Sequence, residues 1–391
     1  MSTAAARGAV CGVALLALCT AVAQGMSRFS FGPLAPAMLG REPGVATVVG
    51  VLAMCHMLGY VIGSIATPAL VRRWTSSGTV RAGVWTVTAG LALLTWSPAV
   101  SVMAAGLFAT GFGAALTWIV APNLAANLIP SQRGLAIGLI SGSMGIGLIT
   151  ASLLAGSVPE HHWRAVWLAE CMISAGISCA ITRWPPRPNE PLTTTTGHTR
   201  IRAPWRVDSQ WPWYTSAFAM FSFGVAMCQT FLVAGLERNN GAGGLFSHLA
   251  YGCIGVGMLF GGFAFERLSR HWGRAPTSCI QYALFATALA TVLVMPHRLA
   301  ILLTIVLIGA TMTGTAATII ADLTDRHRTI VATLLFGTVF PFVGVGQVLG
   351  PFVGGWAVES FGYHSGFLLC AAVSALGAVP LAINTCLARR Y

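Results

Sequence analysis

The sequence predicts an all-α polytopic membrane protein with twelve transmembrane helices in two six-helix pseudo-repeats. Three observations carry this. Of 391 residues, 55% are hydrophobic and only 8% charged, where a soluble domain carries about 25% charge. The apolar residues gather in runs that can cross a hydrocarbon core about 30 Å thick at roughly 20 residues each. The 22 cations, all arginine, fall between those runs in an alternating pattern. With a mean hydropathy of +0.76, there is too little polar surface to coat a soluble core. A soluble enzyme, a disordered chain and a disulfide scaffold are excluded. A net charge of +12 would suggest nucleic acid in a soluble protein. Here the arginines sit in short loops and read as topology signals, so no nucleic-acid partner is expected.

The first apolar segment covers 9–38. Its start imitates a signal peptide, with Arg7 ahead of the run and Ala21-Val22-Ala23 as a cleavage-like triplet. The run continues through Phe29, Phe31, Leu34 and Met38, so it reads as an uncleaved first helix that Pro33 and Pro36 bend. Segments two to six follow at 45–70, 79–97, 99–128, 134–157 and 165–182. Segments seven to twelve occupy 212–236, 246–265, 277–295, 299–321, 330–356 and 366–387. Residues 183–210 hold five prolines, the run Thr193 to Thr196 and five arginines, the composition of a flexible basic linker. The expected division is an N-terminal six-helix bundle at 1–182, a cytoplasmic linker at 183–210 and a C-terminal six-helix bundle at 211–391.

Placing the N-terminus inside puts 17 arginines in inner segments and 4 in outer loops, with Arg28 inside the first helix. That is the asymmetry of a bacterial inner-membrane protein with both termini cytoplasmic. The ten cysteines lie inside apolar runs without a CxxC pair and read as packing residues. The halves echo each other. The loop with Arg72, Arg73 and Arg81 matches the loop with Arg267, Arg270 and Arg274. Arg133 matches Arg328, and segments five and eleven are both glycine-rich. Two parallel repeats around a midplane site is the logic of many secondary transporters. Gly134, Gly138 and Gly142 recur every fourth residue, which predicts a close helix approach. Gly142-Ser143-Met144-Gly145-Ile146-Gly147 is no phosphate cradle, because no strand precedes it.

These residues carry a resemblance. The 6+6 layout with a basic middle loop resembles the major facilitator superfamily over essentially the whole chain. Arg28-Phe29-Ser30-Phe31-Gly32-Pro33-Leu34-Ala35-Pro36-Ala37-Met38 is similar to the R-F-x-[YF]-x-P-L-x-P-x-M stretch of its YbfB/YjiJ-type branch. Gly346-Gln347-Val348-Leu349-Gly350-Pro351 resembles the G-Q-x-x-G-P of that branch. One departure is plain. The superfamily loop between helices two and three reads G-x-x-x-D-R-x-G-R, but Gly63 to Arg81 holds no acid. The resemblance implies the major facilitator fold and a cavity lined by helices one, four, seven and ten. It also places the inner gating loops at Arg72, Arg73, Arg267 and Arg274.

Polar residues inside the apolar runs carry whatever chemistry there is. An arginine at a helix centre costs about 2.5–3.5 kcal/mol even on mild insertion scales. Thr20, Gln24, Ser27, Arg28 and Phe31 follow helical spacing and share a face. Arg28 is read either as a fixed cation for an anionic substrate group or as a structural arginine. Gln24, Arg28, Phe31, His56 and Tyr60 are candidate substrate contacts, and His56 and Glu170 are the candidate proton carriers; an interhelical hydrogen bond is the other reading of His56, and pairing with Arg164 or a neighbouring helix that of Glu170. Further candidate substrate contacts are Trp118 and Asn123 in segment four, Gln229 in seven, Tyr251 in eight, Thr311 and Thr315 in ten, and Phe340 and Gln347 in eleven. Hydroxyls among them also bond their own helix backbone.

The sequence therefore reads as a secondary active transporter that moves a small solute by alternating access, specifically a proton-coupled organic-anion carrier. The rival reading within the fold is a multidrug or sugar efflux carrier with Arg28 structural. Rivals of another class are a channel, which would want charged rings or a filter signature, and a transporter-like receptor, which would want a further soluble domain. A membrane enzyme would need a catalytic constellation, and none is present. No cofactor and no metal site is expected; Glu160, His161, His162 and His364 would hold at most an adventitious ion. The expected partners are the solute, protons and the bilayer, and the expected working unit is a monomer.

Overall fold

Three turns at positive φ set where helices meet without a loop. They are Thr75 (φ 67°, ψ 166°), Gly273 (φ 90°, ψ 156°) and Gly362 (φ 85°, ψ 166°). Each reverses the chain within one residue, where the sequence suggested polar loops of about eight to eleven residues. Glycine accepts this conformation because it lacks a Cβ, whereas Thr75 holds it under strain.

The computed structural model describes residues 3–40, 42–96, 98–184, 204–241, 243–327 and 329–388. At 3–7, 329–330, 332–334, 336 and 384–388 only the backbone is described. Most of the linker at 183–210, and Arg328, lie outside those residues. Every regular element among them is helical. Helix α1 runs from Thr3 to Leu39 in four pieces: Thr3–Thr20, a π-helical turn Ala21–Met26, Ser27–Phe29 and Phe31–Leu39. Val45–Trp96 contains α2 and α3, divided at Thr75. Then come α4 (Val100–Leu128), α5 (Arg133–Ser157) and α6 (Trp163–Arg183). After a single turn at Pro204–Val207 follow α7 (Trp211–Asn240), α8 (Gly244–Trp272), α9 (Arg274–Thr291) and α10 (Arg298–Arg326). Thr329–Leu376 holds α11 and α12, divided at Gly362, and Ala378–Ala388 completes α12. Among the described residues, 9 continuous helical stretches are long and apolar enough to cross a membrane. Two of these carry two crossings each. Helix α9, with Thr277, Ser278 and Gln281 along 18 residues, is the twelfth.

The chain divides into two compact units, Met1–Gly40 with Cys55–Thr194, and Arg41–Met54 with Thr195–Tyr391. The start of α2 thus belongs with the second unit, where Gly50 lies against the Pro351 carbonyl of α11. Within the first unit, Val13, Leu16, Val84, Leu124, Ile140 and Ile181 bury one another across five helices. In lipid such contacts stabilise by close packing, because the tails are as apolar as the side chains.

Glycine contacts make the internal repeat explicit. In the first unit α2 crosses α4 so closely that a Cβ at Gly59 would strike the Phe108 carbonyl, one at Gly63 the Phe112 carbonyl, and one at Gly111 the His56 carbonyl. In the second unit α8 crosses α10 with Gly257 on Val306, Gly261 on Ala310 and Gly309 on Ile254. One constant offset in residue number relates all six positions of one set to the other, and it also carries Thr75 to Gly273. The α1–α5 crossing at Ala21 and Gly147 has its counterpart at Ala219 and Gly346 of α7 and α11.

The spacing of Gly134, Gly138 and Gly142 does not mark the close approach. A Cβ at Gly134 or Gly138 meets nothing within 4 Å. The tight contact of α5 lies further along, where Gly147 meets Gly25 and the Ala21 carbonyl. A small-residue period identifies a face able to pack closely; the partner helix decides which part of it is used.

Candidate substrate and coupling site

The π-helical turn Ala21–Met26 is the feature of α1 that no residue pattern announced. A π turn inserts an extra residue into the helix and turns the following side chains to a new heading. It buries Gln24 and ends two residues before Arg28. The face expected of Thr20, Gln24, Ser27, Arg28 and Phe31 is therefore broken. Thr20 and Ser27 donate to their own backbone, at the Leu16 and Ala23 carbonyls. Phe31 is buried, in backbone that continues helical through Ser30.

Gln24, Arg28, His56 and Tyr60 come together. The Gln24 amide donates to the Ala114 carbonyl of α4 at 3.3 Å and lies near Tyr60. The guanidinium of Arg28 lies 5.5 Å from the centre of the Phe29 ring and acts electrostatically on both His56 and Tyr60. His56 is 4% exposed, and its Nδ1 is 3.0 Å from Thr110 Oγ1 of α4. Its Nε2 is buried with no hydrogen-bond partner. Thr110 was not singled out in the sequence, because nothing along α4 tells which of its hydroxyls faces α2.

Repeat symmetry bears on this pair. The positions equivalent to His56 and Thr110 are Ile254 and Ile308, both fully buried. The same helix crossing is thus built with two isoleucines in the second unit, so packing does not require a polar pair in the first. Helix α7 likewise has no charged residue between Trp211 and Leu236.

Glu170 stands apart from this group. It is fully buried on α6, and Ser30 of α1 donates to its Oε1. Its Oε2 has no hydrogen-bond partner. Arg164 instead lies over the Trp163 ring. On α4, Trp118 is half-buried and Asn123 exposed.

In the second unit, Tyr251 donates to the Gln229 carbonyl at 3.1 Å. Both side-chain amide atoms of Gln229 are buried without a partner, as is the Thr315 hydroxyl. Leaving such a group unsatisfied costs on the order of 1–3 kcal/mol. Thr311 is occupied by its own Ile308 carbonyl. Phe340 and Gln347 are half-buried on α11.

The family model for the Major Facilitator Superfamily matches residues 17–340 and 214–388. The chain belongs to the major facilitator superfamily. No curated protein matches it. Among solved structures it is similar to a point mutant of the nucleoside transporter NupG, with a TM-score of 0.82, 11% identity, and coverage of 95% of this chain and 98% of that one. It is also similar to a bacterial homologue of the human lysosomal transporter Spinster, at 0.75 and 12%, covering 98% and 96%. A D-xylose–proton symporter matches at 0.73 and 15%, covering 96% of each chain. At these identities the likeness speaks for the fold.

The α2–α3 and α8–α9 turns, expected from the sequence to gate the inner side, are unequal in charge pairing. In the second unit Arg274 binds Asp325 at 2.8 Å and Glu266 at 3.4 Å. Burial works against its charge, but Asp325 and then Glu266 hold its pKa above the ordinary value. Arg270, absent from the expected gating set, pairs with Glu266 at 3.1 Å, while Arg267 is exposed. Arg326 bridges Asp208 and Asp322 at 2.7 Å each, and His327 reaches Asp208 at 3.3 Å. Asp208 closes the linker, and sequence alone gave no sign that it meets α10. Arg72 and Arg73 of the first unit are exposed.

Proposed function

We propose that this secondary transporter is a proton-coupled carrier of a small organic anion, working in a bacterial inner membrane with both termini cytoplasmic. The observation that carries the reading is the convergence of Gln24, Arg28, His56 and Tyr60 beside the π turn of α1. A guanidinium presents a planar fork that fits a carboxylate through two parallel hydrogen bonds. Gln24 and Tyr60 add neutral polar contacts beside it. In the second unit, Gln229 and Thr315 are unanswered polar groups able to bind solute. The resemblance of the Arg28–Met38 and Gly346–Pro351 stretches to the YbfB/YjiJ-type branch agrees with a carrier of this kind.

For the proton, His56 and Glu170 are the candidates. Acids suited to ligating sodium are nearly absent from the apolar runs. The isoleucine pair at the positions equivalent to His56 and Thr110 argues that this hydrogen bond serves more than packing. The test is counterflow of labelled solute in proteoliposomes, with a metabolite library first screened by thermal shift. Stabilisation by carboxylates, with transport driven by an inward pH gradient, supports the reading. A cationic or neutral substrate, or a sodium requirement without pH dependence, overturns it. The cation–π contact of Arg28 with Phe29 favours the rival in which Arg28 is structural, and normal transport by Arg28→Gln would establish that rival.

A further inference from the structure

The two inner loops share one backbone turn but not one charge balance. Thr75 and Gly273 sit at equivalent positions with nearly the same φ and ψ. Each follows a tryptophan, Trp74 and Trp272. In the second unit two of the three arginines have acids: Glu266 answers Arg270 and Arg274, and Asp325 answers Arg274, while Arg267 is exposed. Carried back by the repeat, Glu266 becomes Pro68, Asp325 becomes Asn127 and Arg270 becomes Arg72. By the same offset Arg274 becomes Ser76, while Arg73 stands where the second unit has His271 and Arg81 where it has Cys279; the first unit thus keeps one cation at Arg72 and adds two, and both carboxylates are gone.

None of these three arginines forms an ion pair among the described residues. Arg72 and Arg73 are exposed at the end of α2. Arg81 lies at the start of α3, and its Nε is buried with no hydrogen-bond partner. The buried hydroxyl of Ser77, one turn earlier, has none either. Ser76 is 8% exposed in the same turn. A guanidinium N–H held out of water without an acceptor is costly, so an acceptor from outside the chain is called for. Trp74 is 44% exposed beside them; exposed tryptophans at helix ends sit at headgroup depth.

We infer that the α2–α3 turn binds the phosphate of an anionic phospholipid headgroup, which takes the place of the carboxylates present in the second unit. Arg72 and Arg73 would approach the phosphate from the end of α2, with Arg81 Nε and Ser77 from α3. Guanidinium forks match phosphate oxygens through paired hydrogen bonds, which a lysine would not do. The inference is independent of the transported solute.

The test is native mass spectrometry of the full chain exchanged into phosphatidylglycerol, phosphatidylcholine or millimolar inorganic phosphate. The wild type should retain phosphatidylglycerol through activation that strips phosphatidylcholine. The triple variant Arg72→Gln/Arg73→Gln/Arg81→Gln should retain it about tenfold less, and Arg267→Gln in the other loop should not change retention. Pro68→Glu restores the carboxylate one turn before Arg72 and keeps every arginine. It should displace the lipid while the thermal transition stays in place, which guards against a triple variant that fails to fold. Undiminished phosphatidylglycerol retention in the triple variant or in Pro68→Glu overturns the inference. So does inorganic phosphate binding equally well, because the lipid would then have no part in recognition. A wild type that retains phosphatidylglycerol but counterflows no carboxylate would count against the proposed function alone.

Discussion

Arg28 shows how far a single residue can be read. An arginine amid apolar neighbours on a first helix identifies itself in the sequence by its insertion cost. Its company does not. Sequence spacing grouped it with Thr20 and Ser27, which bond their own backbone instead. The π turn and the packing of α2 bring it His56 and Tyr60. If the guanidinium holds a substrate carboxylate, Arg28→Lys keeps the charge but loses the fork. A charge-assisted hydrogen bond is worth about 1.5–3 kcal/mol, so Arg28→Gln should raise the KM for counterflow roughly ten- to hundredfold. Arg28→Lys should fall between it and the wild type, and equal KM values in all three proteins would refute the role. Glu170 offers a separate test. Glu170→Gln preserves shape and can still accept from Ser30, so folding should survive. Counterflow should persist while accumulation driven by a pH gradient is lost. Accumulation at the wild-type level would remove Glu170 from coupling.

Among the elements, packing constraints are the strongest. Gly111 and Gly309 each lie against a backbone carbonyl of the crossing helix, at His56 and Ile254, and rigid backbone cannot move aside as a side chain can. Gly111→Val or Gly309→Val should therefore abolish a monodisperse peak in fluorescence size-exclusion chromatography. Gly134→Ala, which meets open space, should leave that peak unchanged. A second expectation concerns the turn at Thr75. A residue other than glycine at φ 67°, ψ 166° stores on the order of 1–3 kcal/mol. Its Oγ1 accepts from the Gly78 N–H at 3.3 Å, a cap whose replacement by glycine costs only a few tenths of a kcal/mol. Thr75→Gly should accordingly raise the Tm by a few degrees, and a fall would show that the cap outweighs the strain. The sequence placed loops near all three positive-φ turns. It could not show that one residue suffices, because threonine at the first of them is an unfavourable choice that only the surrounding packing enforces.

On the scale of the whole molecule, topology is the expectation most open to a direct test. The 17-to-4 division of arginines predicts both ends on one side. Reporter fusions at Arg390 and within residues 190–200 should both report the cytoplasm, and a periplasmic signal at either would reverse the assignment. The repeat makes a further statement at this scale. The two units share helix crossings residue for residue, yet the first carries His56–Thr110 and the second Ile254–Ile308. His56→Ile with Thr110→Ile should then fold with a Tm close to the wild type while solute transport fails. A large loss of stability would mean that the hydrogen bond is structural after all.

The amino-acid sequence by itself determined the class, the helix count and the superfamily. Composition, run length and arginine placement are one-dimensional quantities that the bilayer reads directly: every crossing must be apolar and about 20 residues long. It also exposed the polar residues from which a site is chosen. Which of them meet was decided by tertiary structure. The π turn lies where α1 packs against α5 at Gly25 and Gly147. The partner of His56 depends on how closely the glycines let α2 approach α4. The ion pair that Arg326 donates to Asp208 depends on where the linker returns to α10. Each of these joins residues far apart in the chain through backbone approach, and no local period in the sequence encodes a distance between two helices.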